Sequence, residues 1–304
     1  MSLKVSIIMN CLNGERFLQE ALQSILDQTY QNWELIFWDN NSNDNSKAIF
    51  YNNYNNKMKY FKSDVIEQFG IVRSKALQKA TGDLIAFLDT DDVWLPKKLS
   101  LQIKYFQKKN VGMVISNTYL FSFYNQKIFY SNSPPTGKIY NNLIKNYFIS
   151  QETLIFRRSL LEKLDIKNFD SDYNAIVDFD LNMRLSKICH LDYCPEILSK
   201  YRIHDNNFTM KNKTLFSQET EKWINYNILR TNNINEVNYL KLLQDSNNSS
   251  YARLLLLDNL RKDAFNRIIK CNLFKIKNLI TLILIFFPFS NYLMKYYFNK
   301  KNRL

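Results

Sequence analysis

Gly82-Asp83-Leu84-Ile85-Ala86-Phe87-Leu88-Asp89-Thr90-Asp91-Asp92 joins a short apolar run to three carboxylates within four positions. The continuous apolar run 84–88 predicts a strand buried on both faces. Unpaired carboxylates are costly to bury. Three of them at the end of a core strand point to a bound cation or a sugar hydroxyl. The competing reading is a solvated turn, with Asp92 capping a helix that opens near Pro96.

The sequence on either side of this stretch alternates strand and helix. Strands are predicted over 5–9, 33–38, 59–62, 84–88 and 111–116. Helices are predicted over 15–27, 41–51, 71–80 and 99–109. The first helix carries Phe17, Leu18, Ala21, Leu22, Ile25 and Leu26 on one face. This rhythm implies an α/β fold with a mostly parallel sheet and right-handed crossovers. Such sheets bind ligands at the carboxyl ends of their strands, where residues 10–13, Asp39 and 89–92 all fall.

Beyond 117 the alternation fades into a hairpin (119–124 with 127–130), a loop at 133–137, helices at 158–164 and 179–186, and a strand at 198–203. From 215 the pattern is helical, with Asn-rich breaks near 232–235 and 247–248. The expected organisation is a domain over 1–214, with halves at 1–117 and 118–214, followed by a helical region over 215–304.

Composition excludes several chemistries. The five glycines, Gly14, Gly70, Gly82, Gly112 and Gly137, cannot write GxGxxG or a P-loop. Any nucleotide phosphates would then need a divalent cation held by Asp rather than a Gly-rich cradle. Cys11, Cys189, Cys194 and Cys271 form no CxxC pair and read as reduced thiols. With no secretory signal in the first ten residues, a cytoplasmic protein is expected.

The net charge of +13 is concentrated at the end: residues 250–304 hold eleven basic and two acidic residues, or 11 − 2 = +9. Among them lies the apolar run 279–289, too short for the roughly 20 residues of a membrane span. Basic flanks on such a run suit an interfacial anchor at the inner membrane face, through 273–304, better than a nucleic-acid arm. A terminal helix buried on the body is the alternative.

The ordered motifs carry a resemblance. Val5-Ser6-Ile7-Ile8-Met9-Asn10-Cys11-Leu12-Asn13-Gly14-Glu15-Arg16-Phe17-Leu18, Ser24-Ile25-Leu26-Asp27-Gln28-Thr29-Tyr30, Trp33 through Ser46, and Arg73 through Leu95 together resemble a family 2 glycosyltransferase of the GT-A fold. The resemblance spans about residues 3–205. Asn10 stands where Pro is usual, and Leu12 where Tyr is usual.

The resemblance implies a set of roles. Asp39 accepts the uracil imide N–H, while Asn13 and Glu15 line the nucleotide pocket and Arg73 reaches toward it. Asp89 meets the ribose or the metal shell. Asp91, with Asp92 and His204, holds Mg²⁺ or Mn²⁺, hard cations suited to such ligands. Arg202 clamps the diphosphate, and Gln151 with Glu152 approaches the acceptor. Asp178 is the general base of an inverting transfer, with Val177 replacing the usual Glu.

Local chemistry offers bland readings beside these. Asp39 suits an Asx-turn, Glu15 a first-turn helix charge, Arg73 a solvated helix face, and Asp180–Arg184 an i,i+4 pair. The expected activity is metal-dependent transfer of a sugar from a nucleotide diphosphate sugar, most simply a UDP-sugar, to a glycan or lipid-linked acceptor. Its rivals are a nucleotidyltransferase, which lacks a triphosphate loop here, and a degenerate binding module, suggested by Val177.

Overall fold

The computed structural model describes residues 2–164, 173–288 and 291–293. These fall into two compact units, Met1–Leu143 with Tyr147–His204, and Ile144–Asn146 with Asp205–Leu304.

The first unit is built on a nine-stranded sheet. Its elements begin with β1 (Val5–Cys11), α1 (Glu15–Leu26), β2 (Trp33–Asp39), α2 (Ser46–Asn52), β3 (Met58–Lys62), α3 (Phe69–Gln78) and β4 (Leu84–Phe87). Next come β5 (Val93–Trp94), α4 (Lys98–Gln102), a 3₁₀ turn (Ile103–Gln107), β6 (Val111–Phe121), β7 (Gln126–Ile128) and α5 (Tyr140–Lys145). A second 3₁₀ turn (Gln151–Thr153), β8 (Ile155–Arg157), α6 (Ser159–Lys163), α7 (Val177–Ile188) and β9 (His190–Arg202) complete it.

Strand order is β3-β2-β1-β4-β8-β6-β9-β5, with β7 on β6. The strands β3, β2, β1 and β4 run parallel, as the alternation predicts. β1, β2 and β4 are mostly apolar and every residue of the three is buried, whereas the edge strand β3 exposes Lys59 and Lys62. Helix α1 buries Leu18, Ala21, Leu22 and Ile25 against them.

Beyond β4 the sheet is mixed. The three-residue β8 inserts antiparallel between β4 and β6, β9 runs parallel to β6, and β5 pairs antiparallel with β9. The predicted helix over 99–109 is half 3₁₀. The strand predicted at 198–203 is the end of a 13-residue β9 whose register shifts against β6.

The second unit contains α8 (Phe208–Lys211), α9 (Lys213–Arg230), α10 (Ile234–Leu257), α11 (Arg261–Ile268) and α12 (Ile276–Ile285). The break expected near 232–235 is present. The one expected at 247–248 is not, because α10 runs through it. There Asn247 donates to the Ser217 carbonyl at 2.8 Å and Asn248 accepts from Arg267 at 3.2 Å. Both amides are thereby engaged away from the helix backbone they would otherwise compete with. Of the basic and apolar tail, Phe289, Lys295, Lys300, Lys301 and Arg303 lie outside the described residues.

Candidate active site

The carboxyl ends of β1, β2 and β4 lie side by side. Cys11 is in register with Asp39, and Ile8 with Phe87, so the loops after all three strands meet at one edge. Gly14 packs against the acidic loop so closely that a Cβ there would lie 3.1 Å from the Thr90 side chain.

The first two loops lock together through side chains. Backbone N–H groups of Asn13, Gly14 and Glu15 donate to Ser42 Oγ, Ser46 Oγ and Asp44 Oδ2 at 3.0, 2.9 and 2.9 Å. Asp44 therefore satisfies an N–H of the first turn of α1, which has no side-chain cap of its own. In return, Asn13 Oδ1 accepts from Asn43 N–H and Glu15 Oε2 from Asn45 N–H.

Asp39 is buried at the same corner. Its Oδ1 accepts from Ser42 N–H at 2.7 Å, an Asx-turn, and its Oδ2 from the Tyr60 hydroxyl at 2.5 Å. Burial and then the Asp39 bond push the Tyr60 hydroxyl upward in pKa. Asn10 is 9% exposed, and neither amide atom has a partner among the described residues. A polar side chain so placed at a strand end is a plain candidate for ligand contact.

Arg73 is not on a solvated helix face. It is fully buried, with its guanidinium between the rings of Phe69 and Phe87 at 4.4 and 4.6 Å. From there Nη2 donates to Asp89 Oδ1 at 2.8 Å and Nη1 donates to Asp178 Oδ1. Burial works against the guanidinium charge, but Asp178 and Asp89 outweigh it and hold Arg73 above its ordinary pKa. Asp89 has 41% of its side chain open to the cleft. Surrounding protein nonetheless pushes it up to about 6, opposed by Arg73 and reinforced by Asp178, Asp91 and Glu152. Asp178 stands in the first turn of α7 with 28% of its side chain exposed. The start of α3 is tied to the approach to α7 by Phe69 N–H donating to Asn174 Oδ1 at 2.7 Å.

The other half of the acidic loop faces β9. Asp91 Oδ2 lies 2.9 Å from His204 Nε2, and His204 packs on Phe17 at 5.0 Å. Asp92 is buried, and its Oδ1 accepts from the Arg202 N–H at 2.9 Å. Burial first, then Asp91, Glu152 and Asp89, raise Asp92 well above the usual carboxylate range. Arg202 Nε donates to the Asp91 carbonyl at 2.8 Å, and Nη2 donates to Glu20. Its guanidinium lies between Phe17 and Phe121, 4.4 Å from each ring.

Gln151 and Glu152 sit on the turn before β8. Gln151 Oε1 accepts from Asn182 Nδ2 at 2.9 Å, and Asn182 also donates to the Tyr147 hydroxyl. Glu152 is buried beside Lys98, whose amine is driven down to about 7 by burial despite Glu152. Asp180 pairs with Arg184 along α7, as their spacing predicts. The structure thus gathers Asn13, Glu15 and Asp39 at one corner, and Asp89, Asp178, Arg73, Asp91, Asp92, Arg202 and His204 at another. Missed in the sequence were the aromatic pairs that sandwich both arginines, together with Glu20, Tyr60 and Lys98. Of these, Phe17 and Phe87 lie within the quoted motifs and Glu20 and Lys98 lie two and three positions beyond one, but none is marked there as an arginine partner.

A mixed α/β sheet of this topology, followed by a helical region, is the architecture of GT-A-type glycosyltransferase structures. A profile of glycosyl transferase family 2 matches residues 6–165. An Escherichia coli protein, UDP-Glc:alpha-D-GlcNAc-diphosphoundecaprenol beta-1,3-glucosyltransferase WfgD, is 31% identical over 220 residues, covering 72% of this chain and 83% of its own. The chain belongs to glycosyl transferase family 2, and it is a glycosyltransferase.

Solved structures share the fold. S. aureus TarS 1-349 in complex with UDP-GlcNAc superposes with a TM-score of 0.66 at 16% identity, over 93% of this chain and 90% of its own. Mannosyltransferase PcManGT from Pyrobaculum calidifontis, in complex with GDP-Man and Mn²⁺, gives 0.61 at 15% identity, over 97% and 84%.

Proposed function

We propose that this transferase is inverting and moves a sugar from a UDP-sugar to a hydroxyl of a lipid-linked glycan. The observation that carries the reading is Arg73. It is fully buried between a carboxylate of the acidic loop, Asp89, and one from the second half, Asp178. One cation thereby sets a donor-side acid and an acceptor-side base in a single cleft.

Asp178 takes the acceptor proton as the hydroxyl oxygen bonds to the anomeric carbon and the bond from that carbon to the diphosphate breaks. Held by Arg73 on a helix, its carboxylate is oriented before the acceptor arrives. Asp39 receives the uracil imide N–H in place of the Tyr60 hydroxyl that now occupies Oδ2, with Asn13 and Glu15 fixing the loop beside it. Asn10 supplies a second polar contact at that corner. Gln151 and Glu152, beside Asn182 and Tyr147, shape the acceptor side.

Asp91 and His204 offer an oxygen and a nitrogen ligand 2.9 Å apart, a donor pair that fits Mn²⁺ or Mg²⁺. Among the described residues no group of three His, Cys, Asp or Glu could hold a metal. Diphosphate oxygens and water would complete the shell. When bound, the cation supplies charge neutralisation for the leaving diphosphate. Asp92 and Arg202, committed to each other and to the Asp91 backbone, hold that corner in place.

Residues 1–214 carry the transferase, and 215–304 an appended helical region. The work belongs at the cytoplasmic membrane face, where an undecaprenol-linked acceptor like the one in the E. coli relative's name is presented.

The test is a panel of nucleotide sugars with Mn²⁺ or Mg²⁺ and lipid-linked acceptors, read by nucleoside diphosphate release. UDP-sugars are expected to turn over. Asp178→Asn should keep donor binding and lose about 10²–10⁴-fold in rate. Intact turnover in that variant would reject the base. Metal-dependent UDP binding without turnover by the parent would identify a binding module instead.

A further inference from the structure

Helix α12 is turned inside out. Its buried side chains are Asn278, Thr281 and Ile285. Asn278 accepts from Ser249 at 2.5 Å and donates to the Asn272 carbonyl at 2.9 Å, so a polar face is the one held against the unit. The opposite face carries Ile276, Leu279, Ile280, Ile283 and, one turn on, Phe287. Each is 46–74% exposed. At about 100° of rotation per residue, the four helical residues form one continuous stripe, and Phe287 follows just past the helix end.

An ordinary surface helix puts such a stripe inward. Here Asn278, bonded to Ser249 and Asn272, and Thr281 take the inward positions of the first two turns and Ile285 packs inward at the last, so the stripe is not left over from poor packing of the core. Leu282 and Leu284, at its margins, already complete the local core with Tyr251, Leu255 and Ile268.

Charge borders the stripe. Lys275 and Lys277 fall on its two sides at the first turn, and Lys277 is exposed. Lys275 pairs with Asp245 yet keeps 51% of its side chain in solvent. At the far end Arg261 donates to the Pro288 carbonyl, bringing a guanidinium to the C-terminal border. The rings of Phe274 and Phe286 are also exposed beside it. Ten residues of helix extend only about 15 Å, half of a bilayer core. Among the described residues, no helix is long and apolar enough to cross a membrane.

We infer that the outward face of α12 is a monotopic docking surface for an anionic lipid leaflet. The helix lies in the interface plane, its isoleucines and Phe287 enter the acyl boundary, and Lys275, Lys277 and Arg261 meet lipid phosphates at its borders. Charge complementarity selects this occupant over a second copy of the chain, whose identical basic borders would oppose each other across a two-fold contact. The inference gives a surface to the membrane-face reading above, and its test uses neither donor nor acceptor.

The experiment is flotation of the full chain with phosphatidylglycerol/phosphatidylcholine vesicles, with phosphatidylcholine vesicles alone as control, alongside size-exclusion chromatography. Binding to the anionic vesicles is expected. Ile280→Asp with Ile283→Asp should weaken it at least about tenfold without lowering the melting temperature, because both side chains are solvent-facing. Lys275→Gln with Lys277→Gln should weaken it about fivefold per lysine and flatten its salt dependence. Equal binding by the double Asp variant overturns the proposal. So does a parent chain that ignores vesicles while self-associating through this face, seen as a dimer that the Asp variant dissolves. If UDP-sugar turnover fails but flotation succeeds, the UDP-sugar reading falls and the surface stands.

Discussion

Replacing Arg73 with Met tests the centre of the site. The side chain is fully buried, stacked between Phe69 and Phe87, and shared by Asp89 and Asp178. Removing one partner of a buried pair costs about 3–5 kcal/mol. The carboxylates here are 41% and 28% exposed, so water screens what is left behind. That screening brings the expected loss to about 2–3 kcal/mol at pH 8.

The sign with pH follows from Asp89. Its folded pKa of about 6 lies above the ordinary 3.8. Between those values the folded state holds a proton that the unfolded state has lost, so this group's contribution to stability falls as pH rises through the window. Arg73 is the influence that lowers Asp89, so in Arg73→Met the carboxyl titrates higher still and the decline continues to higher pH. At pH 5 Asp89 is protonated and no longer adds an unbalanced charge. The loss should therefore shrink by about 1 kcal/mol between pH 8 and pH 5.

Urea denaturation of parent and variant at both pH values measures this. Adding Asp89→Asn to Arg73→Met should recover part of the loss at pH 8. A destabilisation that is the same at both pH values, or that Asp89→Asn leaves untouched, refutes the electrostatic account and leaves Arg73 a packing residue.

Further outcomes follow from the same structure. Asp91→Asn and His204→Ala should each raise the metal concentration needed for half-maximal turnover by about tenfold or more, as titration with Mn²⁺ would show. Without metal, Asp91→Asn should tighten donor binding, because it removes a negative charge beside the diphosphate. Lys98 sits at about 7 against an ordinary 10.5 because it is buried. Between those values the unfolded chain binds a proton that the folded chain does not, so stability should rise with pH across the window, and denaturation of Lys98→Met should show no such rise. Gly82→Ala would place a Cβ 2.7 Å from the Lys4 carbonyl oxygen and the Ser6 nitrogen, both backbone. It should cost about 2–3 kcal/mol in chemical denaturation.

The parallel half of the fold was legible because β1, β2 and β4 are largely apolar runs that stop at a turn residue or an acid. Residues 84–92 show this most clearly, and they also announce the site. The short strands β5 and β8 were not legible. Two or three residues carry no period, and their pairing is decided by strands far away in sequence. The roles of the arginines were hidden for the same reason. Arg73 meets Asp178 across 105 positions and Arg202 meets Glu20 across 182, so no local spacing encodes either contact. In the tail, sequence showed an apolar run but not its facing. That depended on Asn278 finding Ser249 on another helix.

The carboxylates at 89–92 have separate fates, and the difference bears on what the cleft can bind. Asp89 is balanced by Arg73, which also serves Asp178. Asp92 is turned inward to the Arg202 N–H, and the Arg202 side chain is engaged by the Asp91 carbonyl and by Glu20. The two arginines therefore hold the protein's own groups in place. A diphosphate entering beside Asp91, Asp89 and Glu152 would meet more negative charge than these cations offset, which is unfavourable without added positive charge. Asp91 is the member of the cluster placed to meet that need, since it is partly open to solvent and has an imidazole at 2.9 Å. The same imbalance adds to burial, the larger cause, in raising Asp89 and Asp92 before any donor is present. It predicts that donor affinity in the absence of divalent cations improves as pH falls through about 6, where Asp89 gains its proton. Equilibrium binding of a UDP-sugar in chelator across pH 5–8 measures this directly. Affinity independent of pH would show that the diphosphate does not lie against this cluster.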